Sequence, residues 1–183
     1  MSCRPAHNDC RCRRDASPSD RIALSDLVHR YAGWVDDRQF DAVAMLFTET
    51  AELTVPDPPT TLDPIHRHRG HGAIRATVAA VGAVLRTEHA IVGEIYGAGA
   101  RSEMARGRIA CIAHHWTQRQ DQVSDLVWHL RYDDEYQLTD AGWRICRRAL
   151  TINAIETRPV RQVRPGDDAG RMRPEAAQRR VDG

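Results

Sequence analysis

Three side chains of the sequence could together move a proton: Tyr31, Asp36 and His89. An imidazole takes up or releases a proton near neutral pH, and an adjacent carboxylate can orient its tautomer and stabilise its charged form. A tyrosine hydroxyl can polarise a carbonyl group or donate a proton. Spacing alone favours a plainer interpretation of the first two, a core tyrosine and an aspartate in a helix-terminal turn. The pattern also leaves Asp37 open as the partner of the histidine, because it cannot separate adjacent acids.

Two further histidines are adjacent in a strand-like stretch, and neighbouring strand residues point to opposite faces. Only one of His114 and His115 can therefore face the interior. His115 shares its face with Cys111 and Ala113, the slightly more apolar set, so we choose it. His89 also has apolar neighbours on its face, which is typical either of a tuned general base or of a satisfied structural histidine.

The next strand-like stretch offers a wall for a pocket. Alternation places Trp128, Leu130, Tyr132 and Asp134 on one face. Two aromatic rings and a carboxylate among apolar side chains are typical of a small-molecule site. We therefore predict that Trp128, Tyr132 and Asp134 contact a substrate.

The elements that must position these residues follow from periodicity and turn residues. Ser17, Pro18 and an acidic residue at 20 begin a helix that ends near 36, and a short helix covers about 40–47. A strand at 51–55, a proline-rich loop and a helix at 70–85 come next, followed by strands at about 88–96, 104–118, 124–138 and 143–156. The predicted fold class is α+β: a cone-shaped α+β barrel with a strongly curved mixed or antiparallel sheet, and three helices around a central pocket.

Composition limits the class of protein. The length of 183 residues fits one domain, predicted at 17–157, between disordered tails at 1–16 and 158–183. All 26 basic residues are arginine, which excludes Schiff-base chemistry on a lysine. The net charge of +1 and the 5% aromatic content argue against a nucleic-acid partner. An odd cysteine count without a secretory leader favours the cytoplasm, and no apolar run approaches the ~18 residues of a membrane span.

Two clusters could suggest a metal. They are Cys3, His7, Cys10 and Cys12 near the start of the chain, and His66, His68 and His71 before the third helix. The first matches no common zinc spacing, and the second has no carboxylate at helical spacing and is better explained as a solvated loop. We expect no metal and no cofactor.

The chain resembles the SnoaL-like branch of the nuclear transport factor 2-like superfamily, and within it the scytalone dehydratase and bile-acid 7α-dehydratase groups. The resemblance covers roughly residues 18–157. It is carried by Tyr31-Ala-Gly-Trp-Val-Asp36, Phe40-Asp41, Leu46-Phe47-Thr48, Arg69-Gly70-His71-Gly72, Thr87-Glu88-His89, the stretch from Gly107 to His115, and Gly142-Trp143-Arg144-Ile145.

The resemblance implies catalytic roles for four residues. Asp36 and His89 match the catalytic aspartate and histidine of both dehydratase groups, Tyr31 matches the tyrosine of the bile-acid enzymes, and His115 matches the second histidine of scytalone dehydratase. Trp34 lies within the first motif, and Asn153 is the nearest match to a late arginine of the bile-acid enzymes. Both are added as substrate-binding candidates.

The chain also departs from both groups. Val35 replaces a tyrosine, Ala113 stands at the position of a catalytic aspartate, and Leu130 and Tyr132 replace a serine and an asparagine. Neither known substrate therefore transfers to this chain.

The implied function is a cofactor-independent lyase, a dehydratase or dehydratase-cyclase, acting on a small hydroxy-carbonyl compound of polyketide or steroid type. His89, held by Asp36, would remove a proton next to a carbonyl that Tyr31 polarises, and His115 would protonate or position the departing hydroxyl. The alternatives are an isomerase or cyclase with the same pocket, and a non-catalytic ligand-binding or dimerisation domain. We expect the protein to form a homodimer or a homotrimer. We expect its binding partner to be a small-molecule substrate.

Overall fold

The computed structural model describes residues 16–119 and 122–164. Its helices are α1 (Pro18–Asp36), α2 (Phe40–Met45) and α3 (Gly70–Ala79), the last followed by a turn of 3₁₀ helix at Ala80–Ala83. Its strands are β1 (Phe47–Asp57), β2 (Thr61–Arg69), β3 (Arg86–Ala98), β4 (Met104–Arg119), β5 (Gln122–Thr139) and β6 (Gly142–Val160). The cysteine and histidine cluster between Cys3 and Cys12 lies outside the described residues.

The strands form one open, mixed sheet in the order β2-β1-β6-β5-β4-β3. β1 and β6 pair in parallel, and the other neighbours are antiparallel. Register shifts interrupt the β3–β4 and β5–β6 pairs. Such bulges bend a strand and increase its twist, which suits a sheet that curves around a core. The predicted α+β class and the mixed, curved sheet with three helices are confirmed.

The helices and the inner face of the sheet share one core. α1 packs against β3 and β6, and α3 packs against β1 and β2. The start of α1 is as the sequence predicts: the Ser17 hydroxyl accepts a hydrogen bond from the Asp20 backbone N–H at 3.1 Å, with Pro18 in the first turn. The apolar stripe of α1 is buried at Leu24, Leu27, Val28, Tyr31, Ala32 and Val35.

The largest difference from the sequence prediction is β2. The segment containing His66 and His68 was predicted as a solvated loop, but it pairs antiparallel with β1, with His68 opposite Leu53. β2 is an edge strand whose side chains are mostly exposed, so it shows no apolar alternation. An edge strand also tolerates a proline such as Pro64.

Smaller differences concern the ends of elements. The third helix is α-helical only to Ala79 rather than 85. The short second helix ends at Met45, and β1 begins at Phe47, four residues before the predicted strand. β6 continues to Val160, where it pairs with Val123, so residues 158–160 belong to the sheet.

Candidate active site

A cavity of about 350 Å³ lies between the helices and the inner face of the sheet. Its polar groups come from Tyr31, His89, His115, Trp128 and Tyr132, with Thr77 on α3. The rest of its lining is apolar: Val35, Leu53, Val55, Pro56, Val78, Ala80, Val81, Val84, Leu126, Leu130 and Leu150. An apolar cavity with a few convergent polar groups is the usual form of a small-molecule site.

His89 and Asp36 form a hydrogen-bonded pair at this cavity. Nδ1 of His89 lies 2.7 Å from Oδ1 of Asp36, and the backbone N–H of His89 donates to Oδ2 at 2.8 Å. The His89 side chain is only 7% exposed and that of Asp36 20%. Asp36 is the last residue of α1 and His89 lies near the start of β3, so the packing of α1 on β3 brings them together.

The charge of Asp36 determines the tautomer of His89. Burial raises the pKa of Asp36, but the hydrogen bonds and charge of His89 outweigh this effect, and the pKa is lowered overall. An ionised carboxylate only accepts hydrogen bonds, so Nδ1 of His89 carries the proton. In the neutral imidazole Nε2 then has a free lone pair and can act as a base.

His115 is the second imidazole of the cavity. Its ring centroid lies 6.0 Å from that of His89 and 4.6 Å from that of Trp128. Nδ1 donates to the carbonyl oxygen of Leu126 at 3.1 Å, because a carbonyl can only accept. Burial lowers the pKa of His115, and the charge of His89 adds to this, although the Leu126 hydrogen bond opposes it. His115 is therefore neutral near pH 7, with Nε2 available as an acceptor.

His114 lies on the opposite face of the sheet. Its Nδ1 is 2.7 Å from Oδ2 of Asp125, and its ring stacks on Trp116 with a centroid distance of 5.4 Å. The two adjacent histidines thus separate as strand alternation requires, and His115 is the one that lines the cavity.

Tyr31 and Tyr132 meet edge to face, with ring centroids 5.9 Å apart, and both line the cavity. The guanidinium carbon of Arg148 lies 4.1 Å from the Tyr31 centroid and 4.3 Å from the Tyr132 centroid. Burial raises the pKa of Tyr31 despite the charge of Arg148, so its hydroxyl stays protonated. A neutral phenol can donate a hydrogen bond to a carbonyl oxygen.

A family model described as a SnoaL-like domain matches residues 17–149. The chain belongs to the SnoaL-like domain family. Among curated proteins, none matches the sequence.

Solved structures that share the fold of this SnoaL-like protein include the following three. One, from Novosphingobium aromaticivorans, is provisionally named a scytalone dehydratase; it has 20% identity, a TM-score of 0.65, and coverage of 80% of this chain and 93% of its own. Another is a type 2 LinA hexachlorocyclohexane dehydrochlorinase, with 18% identity, a TM-score of 0.62, and coverage of 80% and 95%. The protein Kfla4162 from Kribbella flavida has 24% identity, a TM-score of 0.63, and coverage of 75% and 93%.

Three predicted substrate contacts of the SnoaL-like chain do not line the cavity. Trp34 lies in a separate cleft beside the β5–β6 turn. Asp134 points inward as predicted, but its side chain is 0% exposed and is paired with Arg148. Asn153 is exposed: it follows the buried Ile152 in β6, so strand alternation turns it outward, and the β5–β6 register skips it, because Leu130 pairs with Ile152 and His129 with Ala154. Its neighbour Leu150 lines the cavity instead.

Sequence reasoning missed Arg148, which does not line the cavity but contacts two tyrosines that do. Its side chain is 0% exposed, and it donates from Nε and Nη2 to the two oxygens of Asp134 at 2.8 and 2.6 Å. The available signal was the predicted inward position of Asp134, since a buried carboxylate needs a buried partner on a neighbouring strand.

The described part of the chain holds no cluster of three or more His, Cys, Asp or Glu side chains that could bind a metal ion. His71, one of the candidate ligands, instead places Nε2 3.0 Å from the carbonyl oxygen of Phe47. No helix within residues 16–119 and 122–164 is long and apolar enough to cross a membrane.

Proposed function

We propose that this protein is a cofactor-independent lyase, a dehydratase or dehydratase-cyclase acting on a small hydroxy-carbonyl compound. The observation that carries the proposal is the 2.7 Å contact between His89 and Asp36 beside an apolar cavity. This contact leaves Nε2 of His89 as a base beside a mostly apolar cavity, and proton transfer to a positioned imidazole gains ~10²–10⁴ in rate.

The reaction that fits the residues is loss of water from a β-hydroxy ketone. Nε2 of His89 takes the proton from the carbon next to the carbonyl, and the electron pair moves to the carbonyl oxygen, which accepts a hydrogen bond from Tyr31. The resulting enolate expels the hydroxyl, which takes the proton back from His89 and leaves as water. Neutral His115 orients the hydroxyl by accepting its hydrogen bond, and the enzyme returns to its starting state.

The cavity favours a compact substrate. Its volume of about 350 Å³ is near the lower end of the ~300–1,000 Å³ range of small-molecule sites. Its walls offer aromatic and aliphatic surface, and among the described residues no arginine or carboxylate lines it. A neutral polyketide-like compound of one or two rings suits it better than a tetracyclic steroid.

Isomerisation is the second candidate. The imidazole rings of His89 and His115 have centroids 6.0 Å apart, so a proton removed from one carbon of the substrate by one ring could be returned to another carbon by the other. The LinA structure with this fold is named as a dehydrochlorinase, and elimination of chloride likewise needs a base and a leaving group. Dehydration and isomerisation share the removal of a proton by the base, and they differ in whether a hydroxyl group then leaves.

The test uses a bicyclic β-hydroxy ketone that becomes a naphthol on losing water. In deuterated water, proton NMR follows exchange at the carbon next to the carbonyl, and absorbance follows the naphthol. We expect His89→Ala and Asp36→Asn each to lose at least ~10²-fold in turnover, because both disable the base.

The control is His114→Ala, which removes the histidine of the other His–Asp pair, on the opposite face of the sheet. It should retain wild-type turnover. Exchange without naphthol formation would favour isomerisation. Wild-type turnover in both His89→Ala and Asp36→Asn would overturn the proposal, and binding of the ketone with neither exchange nor naphthol would favour a non-catalytic binding domain.

A further inference from the structure

The turn after α1 has an unusual residue at its tightest point. The backbone N–H of Gln39 donates to the carbonyl of Trp34 at 2.8 Å, and that of Arg38 donates to Val35 at 3.2 Å. This pair of bonds defines a Schellman cap, which places one residue in the left-handed region. Arg38 occupies that position with φ of 60°. Glycine is the usual residue there, because a Cβ clashes with the backbone.

The side chain of Arg38 gives a reason for this strained choice. Nη1 donates to the Thr87 hydroxyl at 3.0 Å, and Nη2 donates to the carbonyl of Val84 at 3.2 Å. Both acceptors lie at the beginning of β3 or just before it, within five residues of His89. The guanidinium therefore ties the end of the helix that supplies Asp36 to the strand that supplies His89.

The link continues from Thr87 to the carboxylate. Thr87 is 1% exposed, and its hydroxyl accepts from Arg38, so its own proton is free to be donated. Burial raises the pKa of Asp36, but hydrogen bonds lower it overall, chiefly the two from His89 and least of all one from Thr87. The two His89 donors, at 2.8 and 2.7 Å, hold a carboxylate that is 20% exposed, and Thr87 lies on the same strand two residues before His89.

We propose that Arg38 is a positioning residue of the active site: acting through Thr87, it holds the Asp36 carboxylate in the orientation that keeps the proton of His89 on Nδ1. The strained backbone of Arg38 persists because a glycine would end the helix equally well but could not reach Thr87 and Val84. The assignment rests on the proposed function only for its effect on turnover, since the state of the His89 imidazole can be measured without a substrate.

The first measurement is the tautomer of His89, from its imidazole nitrogen chemical shifts above the pH at which it is protonated. We expect a single tautomer with the proton on Nδ1 in the wild type. Arg38→Gly, which keeps the turn, and Thr87→Val, which keeps the shape of the side chain, should both show a mixture of tautomers. Thr87→Ser keeps the hydroxyl and should match the wild type.

The second measurement is turnover of the bicyclic β-hydroxy ketone. Partners that orient a metal-bound histidine contribute ~10–100-fold, and we expect a similar size for a group that orients the Asp36–His89 pair. We therefore expect kcat to fall at least ~10-fold in Arg38→Gly and Thr87→Val, with little change in KM. Arg101→Met removes an exposed arginine whose side chain pairs with Glu103, and it serves as the control for loss of one positive charge.

A wild-type tautomer and kcat in Arg38→Gly would overturn the assignment, as would a loss in Arg38→Gly that Thr87→Val does not share. Thermal unfolding of each variant shows whether it is folded. If the wild type does not turn over the ketone but both variants mix the tautomers, the proposed reaction fails while the assignment of Arg38 stands.

Discussion

Replacing Asp134 by asparagine should destabilise the protein strongly, although the two side chains have the same shape. Asp134 accepts from Nε and Nη2 of Arg148 at 2.8 and 2.6 Å, and from the Tyr136 hydroxyl at 2.6 Å. Both charged side chains are 0% exposed. Arg148 also packs against the rings of Tyr31 and Tyr132 and cannot move into solvent without losing both contacts. Asparagine leaves its charge buried without a counterion.

The size of the loss follows from that burial. Removing one partner of a buried ion pair costs ~3–5 kcal/mol, and asparagine keeps one acceptor oxygen, so we expect about 3 kcal/mol. A domain of this size has a total free energy of unfolding of only ~5–15 kcal/mol. The midpoint of thermal unfolding should fall by ~6–12 °C, at ~2–4 °C per kcal/mol.

Urea and thermal unfolding followed by circular dichroism measure this effect. Asp133→Asn is the matched control. Asp133 is the sequence neighbour of Asp134, but its carboxylate is 38% exposed and pairs with Arg108 and Arg131 at the surface. It should lose under ~1 kcal/mol. The double variant Asp134→Asn with Arg148→Met should recover part of the loss, since no charge is left unpaired. Equal, small losses in Asp134→Asn and Asp133→Asn would refute the reasoning.

Two further predictions concern pH and packing. The pKa of His115 is lowered from 6.5 in the folded protein, so the contribution of His115 to the free energy of unfolding is complete above about pH 6.5 and is lost as the pH falls toward the lowered pKa. The pKa of Asp36 is also lowered, so a further part of the free energy of unfolding is lost at more acidic pH. Urea unfolding should therefore show a flatter decline between about pH 7 and 5 in His115→Gln than in the wild type, and parallel curves would contradict this. Gly107→Ala should lose ~1–3 kcal/mol in the same assay, because the added Cβ would lie 2.9 Å from Cε2 of Tyr136. Gly97→Ala, with no atom within 4 Å, should be nearly neutral, and a similar loss in both would show that the clash is not the cause.

The elements with strong local signals could be predicted from sequence. The cap at Ser17 and the apolar stripe of α1 place that helix correctly, and strand alternation places His115 and Trp128 at the cavity. β2 lacked such a signal, because an exposed edge strand has no buried face to impose alternation. The sequence pattern also could not decide whether Asp36 or Asp37 contacts His89. The packing of the end of α1 on β3 decides it, because it places Asp36 beside His89.

Bulges explain the remaining errors at the site. With Thr139 opposite Gly142, an uninterrupted hairpin would pair Asp134 with Arg147. The register shift between Glu135 and Tyr136 pairs it with Arg148 instead, and so selects which of two adjacent arginines is buried. The same shift turns Asn153 outward, because it reverses the faces of the later residues of β6, and a second shift leaves Asn153 out of the pairing. Each bulge reverses the face of every later residue, and neither has a glycine or other local marker in the sequence.

The two His–Asp pairs show why residue type and distance do not define a catalytic site by themselves. His89–Asp36 and His114–Asp125 have the same 2.7 Å contact and lie on opposite faces of one sheet. The His114 side chain is 25% exposed and stacks on Trp116, whereas that of His89 is 7% exposed beside a cavity. Under the proposed function, the inner pair meets its substrate in a mostly apolar cavity, where a base acts on a weak carbon acid with less competition from solvent. If His114→Ala reduced turnover as much as His89→Ala, enclosure by the sheet would not be what separates the two pairs.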